Sequence, residues 1–145
     1  MHISIKSYLI ILASFSLLAC STMNSDVKQD GQTNNLADLW GVEIQRVSLS
    51  AADYMLDFRY KVTDVEKATP ILNSQIKPYL LIEKNGVKLP VPSTPKLGSI
   101  RQHTKAPEVN RIYFMFFKNV SKMVKRGDKV TIVIGDFKAE NITVI

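Results

Sequence analysis

Apolar and polar side chains alternate along residues 54–62, and this pattern limits the fold more than any other feature of the sequence. The apolar members of the alternation share one side of an extended chain: Leu56, Phe58, Tyr60 and Val62. A period of two residues indicates a β-strand with one buried face. The other face of this strand, which carries Asp57 and Arg59, is expected in solvent.

Further alternating or apolar runs predict strands at residues 42–49, 79–84, 87–91, 111–118, 129–134 and 141–145. Within the first of these runs the apolar phase changes at Gln45 and Arg46, which predicts a β-bulge. About seven short strands without a long helix predict an all-β fold, an antiparallel immunoglobulin-like β-sandwich. A small closed barrel is the alternative.

Two of the predicted strands carry more detailed expectations. Asn85-Gly86 favours a two-residue hairpin turn, which places Glu83 opposite Lys88 and Ile82 opposite Leu89. The six consecutive apolar residues of 112–117 favour a central strand that is covered on both faces.

The N-terminal segment has the composition of a secretory signal. Ten of the twelve residues 8–19 are apolar, and Lys6 is the single charged residue before them. The run is too short for a membrane-spanning helix, which needs about 20 apolar residues, and its length fits the core of a signal peptide. Residues 1–19 are therefore predicted to be a signal peptide.

The signal ends in Leu17-Leu18-Ala19-Cys20, which resembles the lipobox of bacterial lipoproteins. This resemblance implies cleavage before Cys20 and acylation of the Cys20 sulfur and amino group, which explains why the only cysteine lies here. Ser21 follows instead of the Asp that retains such proteins in the inner membrane. We therefore expect a lipoprotein of the outer membrane, facing the periplasm.

The remaining chain divides into two parts. Residues 20–35 contain few apolar side chains and are predicted to form a lipidated, flexible tether, because such a segment buries too little surface to offset its chain entropy. Residues 36–145 are predicted to form one β-sandwich domain.

Several stretches of this domain resemble a group of uncharacterised bacterial lipoproteins. The similar stretches are Trp40-Gly-Val-Glu, Tyr54 to Val62, Lys77-Pro-Tyr-Leu, Thr94-Pro-Lys-Leu-Gly and Gly127 to Lys138. The resemblance implies a secreted β-sandwich and carries no catalytic residue with it.

The sequence offers no set of catalytic residues. Cys20 is committed to lipid, and His103 has no Gly-x-Ser-x-Gly motif near it. We therefore expect no enzyme and no cofactor. The alternative is a periplasmic copper-handling protein, with His103, Met115 and Met123 as soft ligands, although no compact metal-binding motif is present.

Positive charge is concentrated in residues 84–129, which contain eleven Lys and Arg residues and two acids. Such a basic face favours an anionic partner. Within it, residues 92–110 form a predicted long loop with three cations that are candidate ligands for an anion or a protein partner: Lys96, Arg101 and Lys105. Nucleic acid is excluded as a partner because the chain is exported. We expect a non-enzymatic binding or assembly module, held at the membrane by its lipid, that contacts an anionic envelope component or an acidic protein.

Overall fold

The computed structural model describes residues 33–145. The predicted signal peptide, the lipidation site at Cys20 and most of the predicted tether lie outside the described residues. Residues 33–35, the last part of the predicted tether, belong to a first helix. The elements in chain order are α1 Thr33–Trp40, β1 Val42–Ser50, β2 Met55–Val62, α2 Val65–Leu72, β3 Tyr79–Ile82, β4 Lys88–Pro90, β5 Ser93–Thr94, β6 Gly98–Ser99, β7 Ile112–Lys118, a 3₁₀ turn Val120–Lys122, β8 Lys129–Ile134 and β9 Phe137–Thr143.

The strands form two main antiparallel sheets and one small hairpin. The first sheet has the order β1-β2-β7, the second has the order β4-β3-β8-β9, and β5 pairs with β6. A parallel bridge between Val47 and Val144 joins the two sheets along one side. Buried apolar side chains of both sheets form one core. The prediction of an all-β, sandwich-like fold is therefore confirmed. Within residues 33–145, neither helix has the length and apolar character needed to cross a bilayer.

Strand β2 behaves as the alternation predicts on its apolar face. Leu56, Phe58, Tyr60 and Val62 are all buried. The predicted bulge in β1 is also present, because the pairing of β1 with β2 shifts register between Ile44 and Arg46.

The expectation for the other face of β2 is wrong at Asp57, which is only 6% exposed. Asp57 lies between Ser48 and Phe116 on the neighbouring strands. Its Oδ2 accepts a hydrogen bond of 2.9 Å from Arg59 Nε, while its Oδ1 has no hydrogen-bond partner in the described part of the chain. Asp57 is therefore buried on the middle strand of its sheet, between neighbours on both sides, although its face of the strand was expected in solvent.

The predicted two-residue hairpin turn at Asn85-Gly86 is wrong. The loop has four residues, since Ile82 N donates to Val87 O at 2.9 Å and Leu80 pairs with Leu89. Glu83 does not face Lys88. Its backbone N–H donates to Lys129 O at 3.1 Å, and its carboxylate accepts a hydrogen bond from Thr131. The register differs by two residues from the prediction, so each side chain keeps its expected face.

The predicted central position of residues 112–117 is also wrong, because β7 is the edge strand of the first sheet. Its inward side chains Tyr113, Met115 and Phe117 are buried, whereas Phe114 and Phe116 on the outer face are half-buried. The long loop covers the free edge of β7. Phe116 N donates to the carbonyl of residue 100 at 3.1 Å, and the N–H of residue 102 donates to Phe114 O at 3.0 Å.

Candidate functional site

The three cations predicted as anion ligands do not form one surface. Lys96 lies on the connection between β5 and β6, and Lys105 lies beyond the segment that pairs with β7; both are exposed. Arg101, by contrast, is only 6% exposed and forms a β-bridge with Met115. The structure therefore separates Arg101 from the two lysines.

Arg101 has a structural task at the C-terminal end of α2. Its Nη2 donates to Asn73 O at 2.6 Å and to Ile76 O at 2.8 Å. Carbonyl groups at the end of a helix lack intrahelical partners and carry partial negative charge, so a guanidinium stabilises them. The expectation of Arg101 as an exposed, adaptable loop cation needs correction, because the bridge to β7 directs its side chain inwards.

The start of β7 and the segment that follows Arg101 enclose a cleft with a volume of about 310 Å³. Its lining is polar and basic, and consists of Arg101, Gln102, His103, Thr104, Arg111 and Tyr113. The cleft lies within the loop region that the sequence marked, but it contains neither Lys96 nor Lys105.

One wall of the cleft is held in place by contacts around Tyr113. The Tyr113 hydroxyl accepts a hydrogen bond of 3.0 Å from Glu108 N, and the Arg111 guanidinium lies 5.4 Å from the centre of the Tyr113 ring. Arg111 also pairs with the Glu108 carboxylate. Burial lowers the pKa of the Arg101 guanidinium below its ordinary value. The ordinary value is so high that the group stays charged.

The residues of the copper alternative are not brought together. His103 is exposed at the cleft, near the first residues of β7. Met115 is fully buried opposite Phe58 in the core, and Met123 packs beyond the other end of β7. The two sulfur atoms therefore pack against the interior, as methionines in apolar cores ordinarily do, and the structure gives the proposed ligand set no support. No cluster of three His, Cys, Asp or Glu side chains suited to a metal ion occurs among residues 33–145.

A second basic region lies at the end of the sandwich where β7 connects to β8. Its five exposed cations, which we call the basic end, are Lys118, Lys122, Lys125, Arg126 and Lys129. Asp128, the acid within this segment, is bound at 2.8 Å by Lys84, a cation outside the set. The basic end therefore carries five cations against one acid, whose charge Lys84 and Lys125 share.

Asn119 fixes the backbone of the basic end. This side chain is fully buried, and its Nδ2 donates to Asp53 O at 2.8 Å and to Val124 O at 2.9 Å. Its Oδ1 accepts from Val124 N at 3.0 Å. One amide thus ties the 119–124 connection to the turn between β1 and β2. On that turn, Tyr54 places its ring 4.7 Å from Lys122 Nζ.

Asp128 secures the second half of this connection. Its Oδ2 accepts hydrogen bonds from Lys84 Nζ and from Lys125 N, both at 2.8 Å. These two bonds lower the pKa of the Asp128 carboxyl group, and the bond from the Lys84 side chain has the larger effect. The backbone that carries the basic end is therefore pinned at both ends by side-chain hydrogen bonds.

Sequence reasoning included the cations of the basic end in the broad basic region but did not single them out. The density of Lys and Arg between residues 118 and 129 was a visible signal. The role of Asn119 had no such signal, because one of its partners, Asp53, lies on the distant turn between β1 and β2.

No protein-family model matches the chain, and neither a curated protein nor a solved structure with significant similarity to it was found.

Proposed function

We propose that this protein is a lipid-anchored envelope protein that acts as a non-enzymatic binding module and contacts an anionic component of the envelope through its basic end. The lipobox-like motif at Cys20 supports the anchor, and the signal-like composition of residues 8–19 supports export of the β-domain. Ser21 favours the outer membrane, with the domain in the periplasm. The same basic surface also suits an acidic protein partner.

The observation that carries the proposal is the arrangement of three cations on a pinned connection, with Lys118 and Lys129 at the strand ends on either side of it. When cations lie on a flexible loop, ordering the loop on binding costs entropy and weakens the affinity for an anion. Here Asn119 and Asp128 already order the backbone between residues 119 and 128. Each cation close to an anionic surface contributes about 1 kcal/mol within a Debye length of about 8 Å at physiological salt, and five cations together provide useful affinity.

The first described helix and the basic end lie at opposite ends of strand β9. The Trp40 ring of α1 contacts Phe137 at the start of β9. At the basic end, Gly127 N donates to Val144 O, just after the end of β9. The described chain therefore does not begin at the surface that we propose as the anion contact.

Neutralising the basic end tests the proposal. Residues 33–145 are prepared without the preceding segment, because acyl chains hide a weaker electrostatic contact. Binding is measured to vesicles that contain phosphatidylglycerol and to lipopolysaccharide. Changing Lys122, Lys125 and Arg126 to Gln is expected to cost about 3 kcal/mol, or more than 100-fold in affinity.

A matched variant carries Gln at Lys77, Lys96 and Lys105, which are exposed cations elsewhere on the domain. It has the same net charge as the first variant, and it includes the two exposed loop lysines of the sequence prediction. We expect it to bind nearly as well as the parent. Equal losses in the two variants, or no binding of the parent to either anionic surface, would overturn the assignment to the basic end.

The anchor is tested separately by metabolic labelling of the full-length protein with a fatty acid. We expect label on the parent and none on the Cys20→Ala variant, because the thiol is the acceptor of the diacylglycerol. Equal labelling of both proteins would contradict the proposed lipidation.

A further inference from the structure

Arg101 is a buried cation whose surroundings contain no opposite charge. The hydrogen-bonded groups at its guanidinium are the backbone carbonyls of Asn73 and Ile76. None of the salt bridges formed among residues 33–145 involves Arg101. Burial of a charge is costly unless it is paired, and two carbonyl dipoles offset this cost only in part.

The hydrogen bonds of this region are also incomplete. Arg101 Nη1 is buried and has no hydrogen-bond partner within the described residues, and the same is true of the Tyr60 hydroxyl. The two groups are close enough to influence each other's titration. Unsatisfied buried polar groups are rare in native proteins and call for an explanation. The unpaired Arg101 guanidinium and the Tyr60 hydroxyl together indicate that a component of this region is missing.

The cleft provides a place for that component. Arg101 lines it directly, and Arg111 and His103 line it as exposed basic groups. We propose that the cleft binds a small oxyanion, a carboxylate or a phosphate group, for which Arg101 is the principal counter-charge. Because Arg101 Nη2 already donates to two carbonyls, the oxyanion accepts its hydrogen bond from Nη1, the guanidinium nitrogen that has no partner within the described residues.

The shape of the cleft limits the ligand. A volume of about 310 Å³ lies at the lower end of the range for small-molecule sites, about 300–1,000 Å³. It accommodates a metabolite-sized acid or the terminal group of a longer molecule, and it excludes a folded protein surface. Arg111 already shares its charge with Glu108, so its contribution to the ligand is smaller than that of Arg101.

This site is separate from the basic end. The cleft lies at the start of β7, and the basic end begins with Lys118, the last residue of that strand. The inference therefore does not rest on the proposed function. Either site can bind its ligand while the other fails to do so.

Thermal unfolding of the full-length protein in a neutral detergent tests the inference. Inorganic phosphate and acetate are titrated in separate series, and sodium chloride keeps the ionic strength constant. A ligand that binds only the folded state raises the melting temperature in a saturable way. We expect saturation with at least one of the two anions, and the better anion identifies the chemistry of the group that is bound.

Three variants locate the effect. Arg101→Gln removes the buried charge and is expected to abolish the saturable rise. Because this change also removes bonds to α2 and can impair folding, Arg111→Gln provides a second test at an exposed position, with an expected loss of about 3- to 10-fold in apparent affinity. Lys105→Gln, an exposed cation of the same loop that does not line the cleft, is the matched control and should bind as the parent does.

The variant with Gln at Lys122, Lys125 and Arg126 separates this inference from the proposed function. It should keep the full response to phosphate or acetate. The inference is overturned if neither anion produces a saturable rise, if folded Arg101→Gln responds as the parent does, or if the Arg111 and Lys105 variants behave alike. It is equally overturned if the rise disappears when the basic end is neutralised.

Discussion

Replacement of Asn119 by Ala removes the side chain that holds the basic end in place. In the native protein this amide makes three hydrogen bonds, two with Val124 and one with the Asp53 carbonyl, and it is fully buried. Ala retains none of them. The N–H and C=O of Val124 and the C=O of Asp53 lose a partner together, and water reaches them only if the connection opens.

The expected cost follows from the number of these bonds. A hydrogen bond in a protein contributes about 1 kcal/mol net, and a buried group left without a partner costs about 1–3 kcal/mol. Three bonds therefore predict that Asn119→Ala lowers the free energy of unfolding by about 3 kcal/mol. Asn119→Asp is expected to be at least as harmful, because a carboxylate cannot donate to the two carbonyls that now accept from Nδ2.

Urea denaturation of residues 33–145 measures this cost. Asn85→Ala is the matched control, because the exposed Asn85 makes a single side-chain bond, accepting from Val87 N at 3.1 Å. This control is expected to cost less than about 1 kcal/mol. Similar midpoints for the two variants would refute the view that Asn119 organises the connection.

Four further substitutions test other contacts of the domain. Phe58→Ala removes a fully buried ring that stacks on Tyr60, and it is expected to lower the free energy of unfolding by about 3–5 kcal/mol in urea. Arg59→Met leaves the buried Asp57 carboxylate without its partner and should cost about 1–3 kcal/mol. By contrast, Arg46→Met should be near neutral because Arg46 lies directly opposite Arg59 and like charges repel; equal costs for the two arginines would contradict this. The lowered pKa of Asp128 means that its contribution to stability is complete above the unfolded-state pKa of about 3.9 and is lost as the pH falls through the lower folded-state value. When the pH is lowered below about 4, the free energy of unfolding should therefore fall less in the Asp128→Asn variant than in the parent, as measured by urea midpoints at several pH values.

The alternation of residues 54–62 was sufficient to predict the buried face of β2, because the period of a strand is a local property of the backbone. The bulge in β1 was visible for the same reason, as a change of phase near Arg46. Local pattern did not reveal which strands lie beside each other. It therefore placed the aromatic run of β7 in the centre of a sheet and Asp57 in solvent, although β7 is an edge strand and Asp57 is buried on the middle strand beside it.

The candidate sites show the same limit. Net charge could be counted along the chain, so the basic region was evident in the sequence. Which cations remain exposed depends on contacts between distant segments. Arg101 is buried against the carbonyls of Asn73 and Ile76. These partners lie 28 and 25 residues away in the chain, so local sequence does not indicate the burial. The predicted hairpin turn was wrong for the same reason, because Glu83 forms hydrogen bonds with the neighbouring strand β8, which is distant in the chain.

The salt dependence of binding tests most directly the claim that the basic end contacts an anionic envelope component. The apparent affinity of residues 33–145 for phosphatidylglycerol vesicles is measured as sodium chloride is raised from about 50 mM to about 500 mM. The account predicts a steep loss of affinity for the parent and a much shallower one when Lys122, Lys125 and Arg126 are replaced by Gln. Equal salt dependence of the two proteins, or tight binding of the parent that does not respond to salt, would contradict it.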